Sequence, residues 1–218
     1  MTLDMFEQDG VNVGQSELYG QDVHLLRGFA LPYIDDIIMA LTLQIKPQSP
    51  LRYMTTPGGY SMSVAMTNCG QRGWLTSRSG YCYAVLDPLT QKHWPDMPAI
   101  FMTLAQAAAY RTGFDDFIPD SCLINEYQAG SKMSLHQDKD EADLSAPIVS
   151  VSLGISATFL LGGLVREEKA VRIALHHGDV MVWGRADRLR FHGILPLKSA
   201  LHSVTKDCRI NLTFRKAL

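Results

Sequence analysis

His136 and Asp138 stand two apart in the run Ser134-Leu-His-Gln-Asp-Lys-Asp140, and His192 lies 54 residues beyond Asp138. Two imidazoles and one carboxylate are the ligand set of the facial triad. That triad holds non-haem ferrous iron on one face and leaves the other positions open for substrate and oxygen. Residues i and i+2 of an extended chain point the same way, so His136 and Asp138 can converge on one ion. His192 must arrive from another strand. An H-x-D triplet is common by chance, and the bland reading is two surface groups and an unrelated histidine.

A second cluster gives the triad a partner. In Arg209-Ile-Asn-Leu-Thr-Phe-Arg215, Arg, Asn, Thr and Arg alternate with Ile, Leu and Phe. Period-2 alternation predicts a strand with one apolar face and one face of hydrogen-bond donors. A guanidinium grips a carboxylate through a planar fork, which suits a small diacid. Asn125 and Tyr127, also spaced by two, can add hydrogen bonds from a neighbouring strand. An iron site beside a diacid cradle is what a 2-oxoglutarate-dependent oxygenase needs. The bland reading leaves the polar face of this strand in water.

The elements that must position these groups fall into three parts. Leu31 to Leu43 reads as a helix with Pro32 in its first turn, and Pro98 to Arg111 as a second, with Gly113 at its C-terminal cap. Residues 50–95 are rich in Gly, aromatics, Ser, Thr and Asn, which predicts short hairpins presenting a binding surface. From residue 120 the chain turns to short strands: 122–127, 148–153, 157–161, 171–175, 179–183 and 209–215. Their spacing predicts a β-sandwich of jelly-roll type, backed by the two helices. His176-His-Gly-Asp179 reads as a turn, Trp183 as core near the iron site, and His24, His93 and His202 have no evident partner.

Composition sets the outer bounds. The 218 residues, 46 % hydrophobic, suit one domain with a full core. No apolar run reaches membrane-spanning length, and the acidic first residues do not read as a secretory signal. Cys69, Cys82, Cys122 and Cys208 are scattered and read as reduced thiols, so a cytoplasmic address is expected. The net charge of −2 is uneven: residues 1–45 carry seven acids and one base, and the remainder is mildly basic. Such a body can grip a short phosphate backbone, although ordinary surface charge explains it as well.

The runs His136-Gln-Asp-Lys-Asp-Glu141, Asn125-Glu-Tyr127, Arg209 to Arg215 and Thr56 to Gly70 together resemble the AlkB family, in its bacterial form. These are iron- and 2-oxoglutarate-dependent dioxygenases that repair alkylated bases. The resemblance runs from about residue 20 to the end. It implies an α+β fold: a double-stranded β-helix (jelly-roll) core at 120–218, N-terminal helices, a nucleotide-recognition lid at 50–95, and an acidic leader at 1–20 of no assigned role. It implies Fe(II) on His136, Asp138 and His192. Arg209 and Arg215 would hold the carboxylates of 2-oxoglutarate, with Asn125, Tyr127 and Asn211 adding hydrogen bonds. Trp74 and His136 would sandwich the damaged base, and Tyr81 would lie near its phosphate or sugar. Met66 would line the base pocket, and Asp140 and Glu141 would approach the exocyclic nitrogen. Thr56, Tyr60 and Arg166 would contact flanking backbone or base.

Physical chemistry agrees with that picture. N1-methyladenine and N3-methylcytosine are cationic at neutral pH, and a Trp face attracts such a ring by about 1–2 kcal/mol when desolvated. The methyl must reach the iron, so the base is flipped from a duplex or is already single-stranded. The implied partners are methylated single- or double-stranded DNA, with RNA also open, and no membrane; a monomer is expected. Two rivals stand beside this reading. One is a 2-oxoglutarate oxygenase acting on RNA, protein or a small molecule. The other is a cupin-like metal-binding module without oxygenase activity, in which Arg209 and Arg215 are surface groups.

Overall fold

The computed structural model describes residues 13–218. Most of the acidic leader, residues 1–12, lies outside the described residues. Fourteen strands and two helices follow in chain order. The strands are β1 (Ser16–Leu18), β2 (Val23–Leu26), β3 (Arg52–Thr55), β4 (Ser61–Gly70), β5 (Gly73–Ser77), β6 (Gly80–Ala84), β7 (Ser121–Tyr127), β8 (Met133–His136), β9 (Ile148–Gly154), β10 (Ala157–Leu161), β11 (Val171–Leu175), β12 (Val180–Trp183), β13 (His192–Ile194) and β14 (Arg209–Arg215). The helices are α1 (Ile34–Ala40) and α2 (Ala99–Arg111).

All strand pairs are antiparallel. The larger sheet runs β1-β2-β12-β9-β14-β7-β4-β3, the smaller β11-β10-β13-β8, and β5 with β6 forms a separate hairpin. The two sheets face each other across one apolar core, built from residues such as Leu25, Phe159, Ile173 and Trp183. A second core lies on the outer face of the larger sheet, where Phe101, Leu104, Ala105 and Ala108 of α2 and Ile37 of α1 cover Val149, Val151, Leu212 and Phe214. The sandwich backed by two helices is therefore as the pattern predicts.

Alternation explains how one strand serves both layers. In β14, Ile210, Leu212 and Phe214 point into the helix-side core, and Arg209, Asn211, Thr213 and Arg215 point the other way. All seven residues are buried. The polar face is thus not a solvated one: it lines the space between the sheets. β9 repeats the pattern, with Val149, Val151 and Leu153 on the helix side and Ser150 and Ser152 opposite. Registration places Ser152, Asn211, Asn125 and Met66 in one lateral row across β9, β14, β7 and β4.

Several elements differ from the sequence reading in extent. The first helix begins as a tight turn at Leu31–Tyr33 and widens at Leu41–Ile45, two residues beyond its predicted end. Residues 16–18 of the leader form the edge strand β1. There Glu17 pairs with Arg27, which in turn reaches Asp179. α2 stops where expected, with Gly113 in the left-handed region at φ 84°. Residues 176–179 are the predicted turn, and the His177 ring packs 4.4 Å from that of His202. All four cysteines are free thiols, with Cys69 and Cys122 buried opposite each other on β4 and β7.

Candidate active site

The triad assembles at one end of the smaller sheet. His192 on β13 is the direct cross-strand partner of His136, the last residue of β8. A Cβ at Gly193 would lie 2.6 Å from the Met133 carbonyl, so only glycine lets β13 come this close to β8. Asp138 follows β8 by two residues. The ligand atoms of His136, Asp138 and His192 lie within 4.8 Å of one another.

The orientation of each ring is fixed from behind. His136 Nδ1 is 2.9 Å from the Ser134 carbonyl, and His192 Nδ1 is 3.0 Å from the Arg190 carbonyl. A carbonyl only accepts, so each Nδ1 carries the proton and each Nε2 offers a lone pair to the shared centre. Phe159 stacks on the His192 ring at 5.8 Å, and Trp183 meets it edge-on at 5.0 Å. Trp183, read from sequence as core near the iron, is a wall of the histidine's slot.

Electrostatics prepares the same atoms. Burial, and then the neighbouring His192, push His136 down to about 4, so its ring is neutral at pH 7 without a metal's help. Burial alone would raise the Asp138 carboxyl. The Arg215 guanidinium, with the two histidines, outweighs it and holds the group well below the usual carboxylate range. A neutral His136 imidazole and an Asp138 carboxylate already deprotonated, with the Nε2 of His192 beside them, fit Fe(II).

Beside the triad lies the diacid cradle. Arg209 is 1 % exposed, its Nε and Nη1 have no protein partner, and it lines the cavity. A buried guanidinium with spare donors is costly unless a ligand satisfies it. Arg209 and Arg215 are six residues apart, about 20 Å along a strand, far longer than a five-carbon diacid. The structure closes that gap: Arg209 Nη2 donates to Ser152 Oγ at 2.8 Å, and Ser152 is the partner of Asn211, so the guanidinium leans along the strand toward Arg215. Arg215 lines the same space, and its Nη1 is likewise unpartnered. Asn211 is held by Ser150 and Val151 and accepts from Asn125, whose own Oδ1 is free. The Tyr127 ring lies 5.0 Å under the Arg209 guanidinium. These spare donors fit the two carboxylates of 2-oxoglutarate.

One cavity of about 950 Å³ joins triad, cradle and hairpin. That exceeds what a small diacid alone needs. From β5 and β6, Trp74 and Tyr81 stack with centroids 5.6 Å apart at 18°, as diagonal cross-strand neighbours do. Trp74 Nε1 donates to Asp140 Oδ2 at 3.0 Å, fixing that carboxylate at the cavity wall. Met66 is buried on the floor, and Thr56 and Tyr60 sit on the turn between β3 and β4. Arg166, held by the Leu135 carbonyl and the Phe191 ring, stands at the rim.

One expectation needs correction. Glu141 does not line the cavity: its carboxylate accepts from Tyr83 Oη at 2.7 Å, pairs with Arg188 at 3.1 Å and lies 3.3 Å from Arg215. It is turned inward because these partners compete better than the cavity does. Tyr81, expected near the phosphate or sugar of the base, lines the cavity and extends the Trp74 stack. Sequence reasoning missed Tyr83 and Arg188 altogether. Tyr83 carried a signal, since it shares a strand face with Tyr81; Arg188 carried none, being one of three arginines in a short loop.

A facial triad beside a diacid cradle in one cavity defines a class of iron-dependent oxygenase. The chain belongs to the 2OG-Fe(II) oxygenase superfamily, whose family model matches residues 23–215. Within it the chain is similar to the alpha-ketoglutarate-dependent dioxygenase AlkB of Escherichia coli, at 56 % identity over 193 residues, covering 88 % of this chain and 89 % of that one. A part of it is similar to the human nucleic acid dioxygenase ALKBH1, at 36 % identity over 102 residues, 47 % of this chain and 26 % of that one. The solved structure of OsALKBH1 superimposes with a TM-score of 0.77 at 28 % identity, covering 93 % of this chain and all of the other. The protein is an iron- and 2-oxoglutarate-dependent dioxygenase of the AlkB family, and its cofactors are Fe(II), 2-oxoglutarate and O2.

Proposed function

We propose that the protein is an oxidative demethylase that repairs N-alkylated bases, N1-methyladenine and N3-methylcytosine among them, in single- or double-stranded DNA and in RNA. The observation that carries this reading is Asp140, held by the Trp74 indole on the wall of the cavity that contains the triad. A stacking surface with a fixed carboxylate beside it attracts a cationic ring more than a neutral one. The pocket therefore selects damage by charge as well as by shape.

Each residue has a stated task. His136, Asp138 and His192 hold the iron, and Arg209 and Arg215 hold the diacid, assisted by Asn125, Tyr127 and Asn211. Bound there, iron and 2-oxoglutarate supply the oxidising power that inserts one atom of O2 into the N-methyl C–H bond, with succinate and CO2 as co-products. The rest is positioning. Trp74 and Tyr81 on the β5–β6 hairpin act as a lid over the base, and His136 forms the opposite wall. Met66 sets the depth of the pocket, while Thr56, Tyr60 and Arg166 steer the flanking backbone. The hydroxymethyl group left on nitrogen collapses to formaldehyde and the restored base.

The rival metal-binding module without oxygenase activity needs no diacid cradle. The buried spare donors of Arg209 and Arg215 speak for the oxygenase. No described helix is long and apolar enough to cross a membrane. We place the protein in the cytoplasm as a monomer with one domain, the hairpin region being its lid. Replacing His136 or Asp138 with Ala removes succinate and formaldehyde production together, and retained turnover in either variant refutes the triad. Trp74→Ala weakens binding of a methylated oligonucleotide while iron binding persists; equal loss of both marks a purely structural Trp.

A further inference from the structure

Beside the metal site lies a buried ionic cluster in which two members, Glu141 and Arg188, have no task in the proposed chemistry. It contains two acids, Asp138 and Glu141, and two arginines, Arg188 and Arg215, with side-chain exposures of 10, 2, 3 and 6 %. Charge is balanced only with all four present, and an unpaired charge at such depth is expensive. Arg215 stands between the two acids. Its Nη2 is 2.6 Å from Asp138 Oδ2, and its Nε is 3.3 Å from Glu141 Oε1.

Arg188 decides that contest. It comes from the loop between β12 and β13, the loop that also delivers His192. Its Nη2 pairs with Glu141 Oε2 at 3.1 Å, its Nη1 donates to the Asp138 carbonyl at 2.6 Å, and its Nε donates to the Ala146 carbonyl at 3.0 Å. Tyr83 occupies the other Glu141 oxygen. With Arg188 in place, Glu141 is already paired, and Arg215 makes its short contacts to Asp138, lines the cavity and keeps Nη1 without a protein partner. Without Arg188, Glu141 becomes a buried anion whose nearest cation is Arg215.

We propose that Arg188 is a positioning residue for the co-substrate: by occupying Glu141 it keeps Arg215 turned to Asp138 and to 2-oxoglutarate. The proposal rests on Arg215 as a diacid anchor and not on the nature of the methylated substrate. It differs from a mere tie between loops, because what matters is the charge on Glu141.

The test is binding of 2-oxoglutarate to the Fe(II)-loaded protein under argon, followed by calorimetry and by the visible charge-transfer band. Arg188→Met weakens binding by about tenfold, the cost of misdirecting one charge-assisted hydrogen bond. Adding Glu141→Gln to that variant removes the competing anion and returns binding to within about threefold of the parent, since a neutral amide draws a guanidinium far less strongly. Unchanged binding in Arg188→Met overturns the proposal, as does a double variant no better than the single one. If Arg188→Met does not fold, Glu141→Gln alone reads the same balance from the other side. It keeps binding within about threefold, and a tenfold loss overturns the proposal. None of these readouts requires a nucleic acid, so a failure of the base-repair reading leaves them interpretable.

Discussion

At the scale of single residues, Arg209 carries the clearest chemical statement. Among the described residues it is the largest side chain that is essentially fully buried, and two of its donors have no hydrogen-bond partner in the protein. Substituting Arg209→Met removes a charge-assisted fork and raises the 2-oxoglutarate KM by at least about tenfold with little change in iron affinity. Titrating Fe(II) and 2-oxoglutarate separately checks this, and parallel loss of both contradicts it. The residue type and its side of the strand were legible in the alternation of 209–215. The lean of its guanidinium toward Arg215 was not, because it depends on Ser152, which comes from a different strand. Glu141 shows the opposite limit. Adjacent to Asp140 in sequence, it is turned away by Tyr83 and Arg188, neither of which any local pattern connects to it.

At the scale of elements, the β8–β13 pair sets the metal geometry. It is short, and its register shifts between His192 and Ile194, so little besides Gly193 brings the two strands together. Gly193→Ala places a Cβ against the Met133 carbonyl and forces the strands apart. The expected result is a loss of Co(II) or Fe(II) affinity of about tenfold or more, as when ligand-orienting contacts are broken elsewhere. Metal titration followed by absorbance checks it, and unchanged affinity rules out this account of Gly193. The strands from β7 on that run apolar or alternating between turn signals were legible, whereas β4, the longest, was read only as part of the hairpin-rich segment 50–95. β1, β2, β8 and β13 were not read as strands, being three or four residues long and fixed by their neighbours rather than by their own pattern.

At the scale of the whole molecule, the two cores give the site its rigidity, and the turn joining β11 to β12 gives stability a pH dependence away from the site. His177 accepts from the Gly154 amide at 2.9 Å and packs on His202; burial, and then the neighbouring His202, push it down to about 4. An unfolded His titrates near 6.5. Between about 6.5 and 4 the unfolded chain therefore binds more protons, so this contribution is complete above 6.5 and is lost as pH falls through that window. The Tm of the protein without iron falls by about a few degrees over the range, and His177→Asn reduces the slope. An identical slope in both proteins contradicts the assignment. The sandwich and its backing helices were legible from strand spacing and helix caps; the partnership of His177 with His202 was not, since 25 residues separate them.

The central claim is that one cavity couples 2-oxoglutarate oxidation to removal of a methyl group from a cationic base. Incubation with Fe(II), 2-oxoglutarate, O2 and an oligonucleotide carrying N1-methyladenine or N3-methylcytosine tests it directly, with succinate, formaldehyde and the base all followed. The account predicts equal amounts of succinate and formaldehyde, with restored adenine or cytosine. Succinate formed at the same rate whether or not the oligonucleotide is methylated, with no formaldehyde, would contradict it.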